Sequence, residues 1–113
     1  MRYIKLGSTG LEVSAITLGC MSFGEPDRGG EPWSLSVDAS RDIVEKALES
    51  GVNFLDTANG YSAGSSEEIV GRAVKDFARR EEVVLATKVW MRTRPGPNGA
   101  GKAILAELDA SLK

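Results

Sequence analysis

Three side chains near the middle of this sequence have the types and spacing to move a proton: Asp56, Tyr61 and Lys88. The first two lie in FLDTANGY (residues 54–61), an apolar run that stops at an acid and is followed, after small and polar residues, by a tyrosine. Lys88 lies in EVVLATKVW (residues 82–90), which is otherwise almost continuously apolar. A lysine in such a run is costly to bury without a partner, and an aspartate on a neighbouring strand is the obvious one. Singly, each residue has an ordinary explanation as a turn or cap acid, a loop aromatic, or a paired lysine. Jointly they suit one chemistry. A free tyrosine, with a pKa of about 10, is a poor proton donor at neutral pH. A lysine ammonium beside a phenol favours the phenolate, and an aspartate keeps the lysine charged and aimed. A tyrosine so placed can give its proton to a developing alkoxide. That is half of a carbonyl reduction, and the hydride must come from a cofactor.

Other candidates carry less. Cys20 is the only cysteine and the chain has no histidine to activate it, so a small buried residue accounts for it. Its place at a strand end still leaves it free to line a pocket. The absence of histidine also removes the commonest catalytic base and most zinc-ligand sets. GPNGAGKA (residues 96–103) has the G-x-x-x-x-G-K spacing of a phosphate-cradling loop. Alanine stands where a magnesium-binding hydroxyl is needed, and the stretch begins several residues past the strand, so a plain connecting loop is the better reading.

The elements that must hold the three side chains follow from pattern. RYIKLGSTGLEVS (residues 2–14) reads as a hairpin around a glycine-containing turn, and AITLG (15–19) as a short buried strand. A long loop with Pro26 and Pro32 comes next, of a length that usually serves function. From about Val37 to Ser50, Ile43, Val44, Ala47 and Leu48 fall at helical spacing, with Gly51 at the C-terminal stop. VNFLD (52–56) is a strand. A second helix follows, opened by Ser65 and Glu68 at capping-box spacing. Residues 82–90 suit a strand covered on both faces. After a Pro/Gly loop, Ile104, Leu105, Leu108 and Leu112 mark a third helix.

Strands alternating with helices imply parallel pairing, and ligands of such arrays bind at the carboxyl ends of the strands. Asp56, Tyr61, Lys88, Cys20 and Met21 all fall at that rim. Three β-α units are too few for a closed barrel of eight units and ~250 residues. An open three-stranded sheet would leave an unpaired edge, so the front end of something longer is the better reading.

Bulk properties narrow the class. The 113 residues suit one domain, with 42% apolar and 27% charged content. Fourteen basic and 16 acidic residues give a net charge of -2 with no basic block, which argues against a nucleic-acid partner. No apolar run approaches the ~20 residues needed to span a bilayer, and the N-terminus lacks a signal-peptide core. A lone cysteine suits a reducing compartment. A soluble, cytoplasmic protein with neither nucleic acid nor membrane as partner is therefore expected.

LGSTGLEVSAITLGCMSFG, GVNFLDTANGYSAGSSEEIVG and VVLATKVW closely resemble successive blocks of the aldo-keto reductases. The resemblance spans essentially the whole chain in order and spacing. It implies an α/β fold, the N-terminal part of a (β/α)8 TIM barrel, with an N-terminal β-hairpin and about three β-α units. Residues 1–113 would then form a partial domain that stops before the fourth strand. The resemblance further implies an NADPH-dependent oxidoreductase that reduces aldehydes or ketones, with NADPH/NADP as cofactor and a small carbonyl compound as substrate. Carried over by position, Tyr61 would be the proton donor, Lys88 the cation that eases the transfer, and Asp56 the partner of that lysine. Gly19, Cys20 and Met21, with Asp56, would border the nicotinamide. By the same resemblance Trp90 would face the substrate, as would Trp33 in the long loop. The family's fourth catalytic residue, a histidine on the next strand, falls outside the sequence. The 113-residue chain alone is therefore expected to be inactive, and to self-associate or need the rest of a barrel. Two alternatives stand beside the reductase: a non-catalytic nicotinamide-binding or regulatory barrel, and an inactive fragment. Fold cannot separate them, but the Asp-Tyr-Lys set favours chemistry.

Overall fold

The computed structural model describes residues 1–89 and 100–113. Tyr3–Lys5 (β1) and Glu12–Ser14 (β2) pair antiparallel, with Ile4 opposite Val13. The turn between them uses left-handed backbone at Gly7 and Gly10, and Thr9 Oγ1 donates to the Leu6 carbonyl at 2.6 Å. Asn53 fastens this hairpin to the main sheet. Its Oδ1 accepts from the Ser14 N–H at 2.7 Å, and its Nδ2 donates to the Glu12 carbonyl at 3.2 Å. Asn53 directly precedes a strand of that sheet, so the hairpin sits at the end where this strand begins.

Leu18–Gly19 (β3), Phe54–Asp56 (β4) and Val84–Ala86 (β5) form a parallel sheet in the order β3-β4-β5. The register sets Gly19 opposite Asp56 and Asp56 opposite Ala86. Hydrogen bonds continue past the strand ends, from Cys20 N to the Asp56 carbonyl and from Thr57 N to the Ala86 carbonyl, both at 2.9 Å. The strands are shorter than the apolar runs suggest. Residues 80–82 form a 3₁₀ turn rather than the start of β5, and the three residues of β5 are only half-buried because β5 is an outer strand. The expectation of a strand covered on both faces is thereby corrected.

Val37–Glu49 (α1) connects β3 to β4, Ser65–Phe77 (α2) connects β4 to β5, and Ala100–Ser111 (α3) follows β5. α1 opens on Ser36, whose Oγ accepts from the Ala39 N–H, and is followed by Gly51 at φ 88°. α2 begins differently from the capping box expected of Ser65 and Glu68. Gly64, at φ 92°, is its N-cap, and Ser65 lies inside the helix. Glu68 instead takes a two-pronged pair from Arg28 at 2.9 and 3.0 Å, a stronger partner than a backbone N–H. That pair holds the Glu68 carboxyl below the usual carboxylate range, chiefly through the Arg28 hydrogen bonds.

The core lies between the sheet and the first two helices: Val44 from α1, Val70, Ala73 and Val74 from α2, and Leu55, Cys20, Phe23 and Val83 from the sheet and its flanks. Across the helix pair, Arg41 bonds Asp76 at 2.7 Å and lies 4.8 Å from the Phe77 ring centroid. α3 is different. Ile104, Leu105, Leu108 and Leu112 are exposed, whereas Glu107 is buried.

Candidate functional site

Asp56 closes β4, and its side chain reaches across to the segment that leaves β5. Lys88, two residues beyond that strand, places Nζ 2.8 Å from both carboxylate oxygens. The same ammonium donates to the Thr57 carbonyl at 2.9 Å and to Tyr61 Oη at 3.3 Å, and lies 5.0 Å from the Tyr61 ring centroid. An ammonium has three hydrogens. With four acceptors in reach, one hydrogen must be shared, and the phenol oxygen has the longest contact.

Lys88 is not the buried lysine that its apolar neighbours suggest. Its side chain is 45% exposed and that of Asp56 36%, because both project from the rim rather than into the sheet. Its pKa is nevertheless raised. Partial desolvation, the largest single influence, opposes the charge, but hydrogen bonds to Asp56 and Tyr61 and their Coulombic pull outweigh it.

Tyr61 is placed by an unusual turn. Its N–H donates to the Ala58 carbonyl at 3.2 Å, and the residues after it, Ser62 and Ala63, take φ of 47° and 51° ahead of Gly64. Left-handed backbone at two non-glycine residues must be held by its surroundings. Ser65 Oγ donates to the Ser62 carbonyl at 2.8 Å and accepts from the Glu25 N–H at 3.0 Å. The loop carrying Glu25 can come this close because residue 24 is glycine: a Cβ there would stand 1.9 Å from Ser62 Oγ. A buried hydroxyl pair adds to the frame. Thr57 Oγ1 and Ser66 Oγ are 3.0 Å apart, and Ser66 Oγ donates to the Cys20 carbonyl at 2.8 Å.

The residues expected to border a cofactor divide. Gly19 has open space where a side chain would stand, and Met21 is exposed, so both offer surface beside Asp56. Cys20 does not. Its side chain is 0% exposed, burial pushes the thiol up to about 12, and Sγ donates to the Leu18 carbonyl at 3.4 Å. The expectation that it could line a pocket is corrected: odd and even positions of the strand face opposite ways, and Cys20 faces the core. Trp33 is exposed on the β3–α1 loop. Trp90 and residues 96–99 of GPNGAGKA lie outside the described residues, and Ala100 to Ala103 open α3 rather than continuing a loop.

Two open clefts, of about 800 and 1030 Å³, are lined by other residues than Asp56, Tyr61 and Lys88. Among the described residues, no group of three or more His, Cys, Asp or Glu could hold a metal ion, and no helix is long and apolar enough to cross a membrane. Sequence reasoning missed Glu107 and Asn59, both buried and bonded to each other. Nothing in the local pattern of α3 marks its one inward acid.

Comparison with known proteins agrees with this fold. The model of the Aldo/keto reductase family matches residues 15–113. Versiconal hemiacetal acetate reductase of Aspergillus parasiticus is 44% identical over 91 residues, covering 80% of this chain and 26% of that protein. A probable voltage-gated potassium channel subunit beta of Arabidopsis thaliana is 36% identical over 118 residues, covering 100% of this chain and 33% of that one. The solved holo form of an aldo-keto reductase from Bacillus halodurans matches with a TM-score of 0.77 and 35% identity, covering 99% of this chain and 35% of that chain. The chain thus spans from about a quarter to about a third of the length of these relatives.

Proposed function

Because the chain belongs to the aldo/keto reductase family of oxidoreductases, its strands and helices being the N-terminal part of a (β/α)8 barrel, we propose that it serves the NADPH-dependent reduction of aldehydes or ketones to alcohols. The observation that carries this reading is the single ammonium of Lys88 bonded to both the Asp56 carboxylate and the Tyr61 phenol. NADPH, when bound, supplies the hydride that reduces the carbonyl carbon. The chain's own residues see to the proton. As negative charge gathers on the carbonyl oxygen, Tyr61 O–H donates to it, so that oxygen becomes the alcohol hydroxyl. The charge then left on Tyr61 Oη faces Lys88 Nζ, 3.3 Å away, which stabilises it without moving. Asp56 holds that ammonium through both carboxylate oxygens. Gly19 and Met21 would border the nicotinamide, with Asp56 beside them, and Trp90 would contact the substrate. The lone cysteine fits action in the reducing cytoplasm.

The test is made on the complete protein with an aromatic aldehyde, following NADPH oxidation by absorbance. Tyr61→Phe should lower turnover about 10²- to 10⁴-fold, the range for a lost general acid. NADPH binding, read by fluorescence titration, should survive. Full activity in Tyr61→Phe would remove the proton-donor role. Cofactor binding without turnover in the unaltered protein would favour the second reading, a regulatory barrel, which one relative's description as a channel subunit keeps in view.

A further inference from the structure

Glu107 is the one charged residue buried among the described residues, at 4% exposure, and it projects from the helix whose leucines face outward. Asn59 Nδ2 donates to Glu107 Oε2 at 3.2 Å. Asn59 is itself buried, and its backbone N–H donates to the Lys88 carbonyl at 3.2 Å. It also stands two residues before Tyr61. The carboxylate on α3 therefore grips a residue that is bonded to the main chain of Lys88 and covalently close to Tyr61.

A second link runs in parallel. One turn further along α3, Ser111 Oγ donates to Glu67 Oε2 at 3.1 Å, and Thr87 Oγ1 donates to Glu67 Oε1 at 2.5 Å. Thr87 directly precedes Lys88. α3 thus reaches both halves of the Tyr61–Lys88 pair through carboxylates. Burying an acid is costly until its hydrogen bonds repay the loss, and an apolar residue would pack there more cheaply. What the acid adds is direction, since a carboxylate fixes a donor in a way a methyl group cannot. The contact it would protect is the weakest in the site: at 3.3 Å, Tyr61 Oη to Lys88 Nζ is near the limit of a useful hydrogen bond.

We infer that Glu107 is a positioning residue for the proton transfer, setting the spacing of Tyr61 Oη and Lys88 Nζ through Asn59. The catalytic arm of this inference rests on the reductase reading; the structural arm does not. Glu107→Ala and Glu107→Gln in the complete protein test it, because glutamine keeps an acceptor for Asn59 Nδ2 and alanine does not. In the alanine variant kcat should fall about 10- to 100-fold, as displacement of a reacting group does, with NADPH affinity nearly unchanged. Backbone amide exchange over residues 57–61 should become faster in that variant. Glutamine should restore both to near the unaltered protein. Unchanged exchange over residues 57–61 in the alanine variant overturns the inference, as does a folded glutamine variant that loses as much kcat as alanine. If alanine does not fold, the glutamine variant decides alone: retained kcat supports the role and a large loss removes it. Should Tyr61→Phe keep full activity, the proton-donor reading has failed, and the exchange comparison still decides whether Glu107 holds the Asn59 loop.

Discussion

Lys88 carries the site's charge balance, and its raised pKa sets a pH window. A group whose pKa is raised on folding adds stability that is complete below its ordinary value and is lost as pH climbs through the folded value. For Lys88 the ordinary value is 10.5. The difference in Tm between the unaltered protein and Lys88→Met should therefore be constant through neutral and mildly alkaline pH, and should close only above that value. The stability behind that difference should stay within the roughly 0–1 kcal/mol of solvent-screened pairs, since both side chains are well exposed. A gap that closes near neutral pH would mean that another group supplies the charge dependence. The pairing with Asp56 was legible in the sequence because each residue interrupts an apolar run at the same end of neighbouring strands. The exposure of Lys88 was not, since β5 stops at Ala86 while the apolar run continues past it. The burial of Cys20 was legible as that of a small residue at a strand end; that burial takes its side chain off the rim was not, because it depends on the register of a strand only two residues long.

At the scale of the element, the turn from Tyr61 to Gly64 concentrates strain where Tyr61 is mounted. Left-handed backbone costs a non-glycine residue about 1–2 kcal/mol, against a flexibility penalty of about 0.5–1 kcal/mol for glycine. Ala63 is exposed, so its replacement removes little packing. Ala63→Gly should then raise the unfolding free energy by about 0.5–1 kcal/mol, measured by urea denaturation. Gly64→Ala, at φ 92°, should lower it by about 1–2 kcal/mol. A loss of stability in Ala63→Gly would show that the turn relaxes in solution and stores no strain. The helix order was readable from pattern, but the start of α2 was not. Ser65 has the type and spacing of a cap, yet its hydroxyl is taken by the Ser62 carbonyl and by Glu25, which arrives from 40 residues earlier in the chain. Local spacing cannot report a partner that tertiary folding delivers.

For the molecule as a whole, the alternation of strand and helix was enough to predict a parallel sheet with Asp56 and Lys88 at its carboxyl rim. It could not say which apolar faces are covered. Ile104, Leu105, Leu108 and Leu112 give α3 the periodicity of a packed helix, yet all four are exposed in this structure, as are Ile16, Met21 and Trp33. β3 and β5 are also the two outer strands of the sheet. Contiguous apolar surface on a helix, together with strand edges, favours association over a dispersed monomer. A polypeptide limited to residues 1–113 should therefore self-associate at concentrations of about 10–100 µM, where exposed apolar surface drives assembly. Sedimentation velocity would show mass rising with concentration, and Leu105→Lys with Leu112→Lys should shift the distribution toward monomer. The two positions separate the causes: if the double variant associates as strongly as the original, the strand edges dominate and charges on β5 become the effective change. A monomer that stays monodisperse across that range and unfolds cooperatively would show that the first two helices and the hairpin cover enough of the sheet for the unit to stand alone.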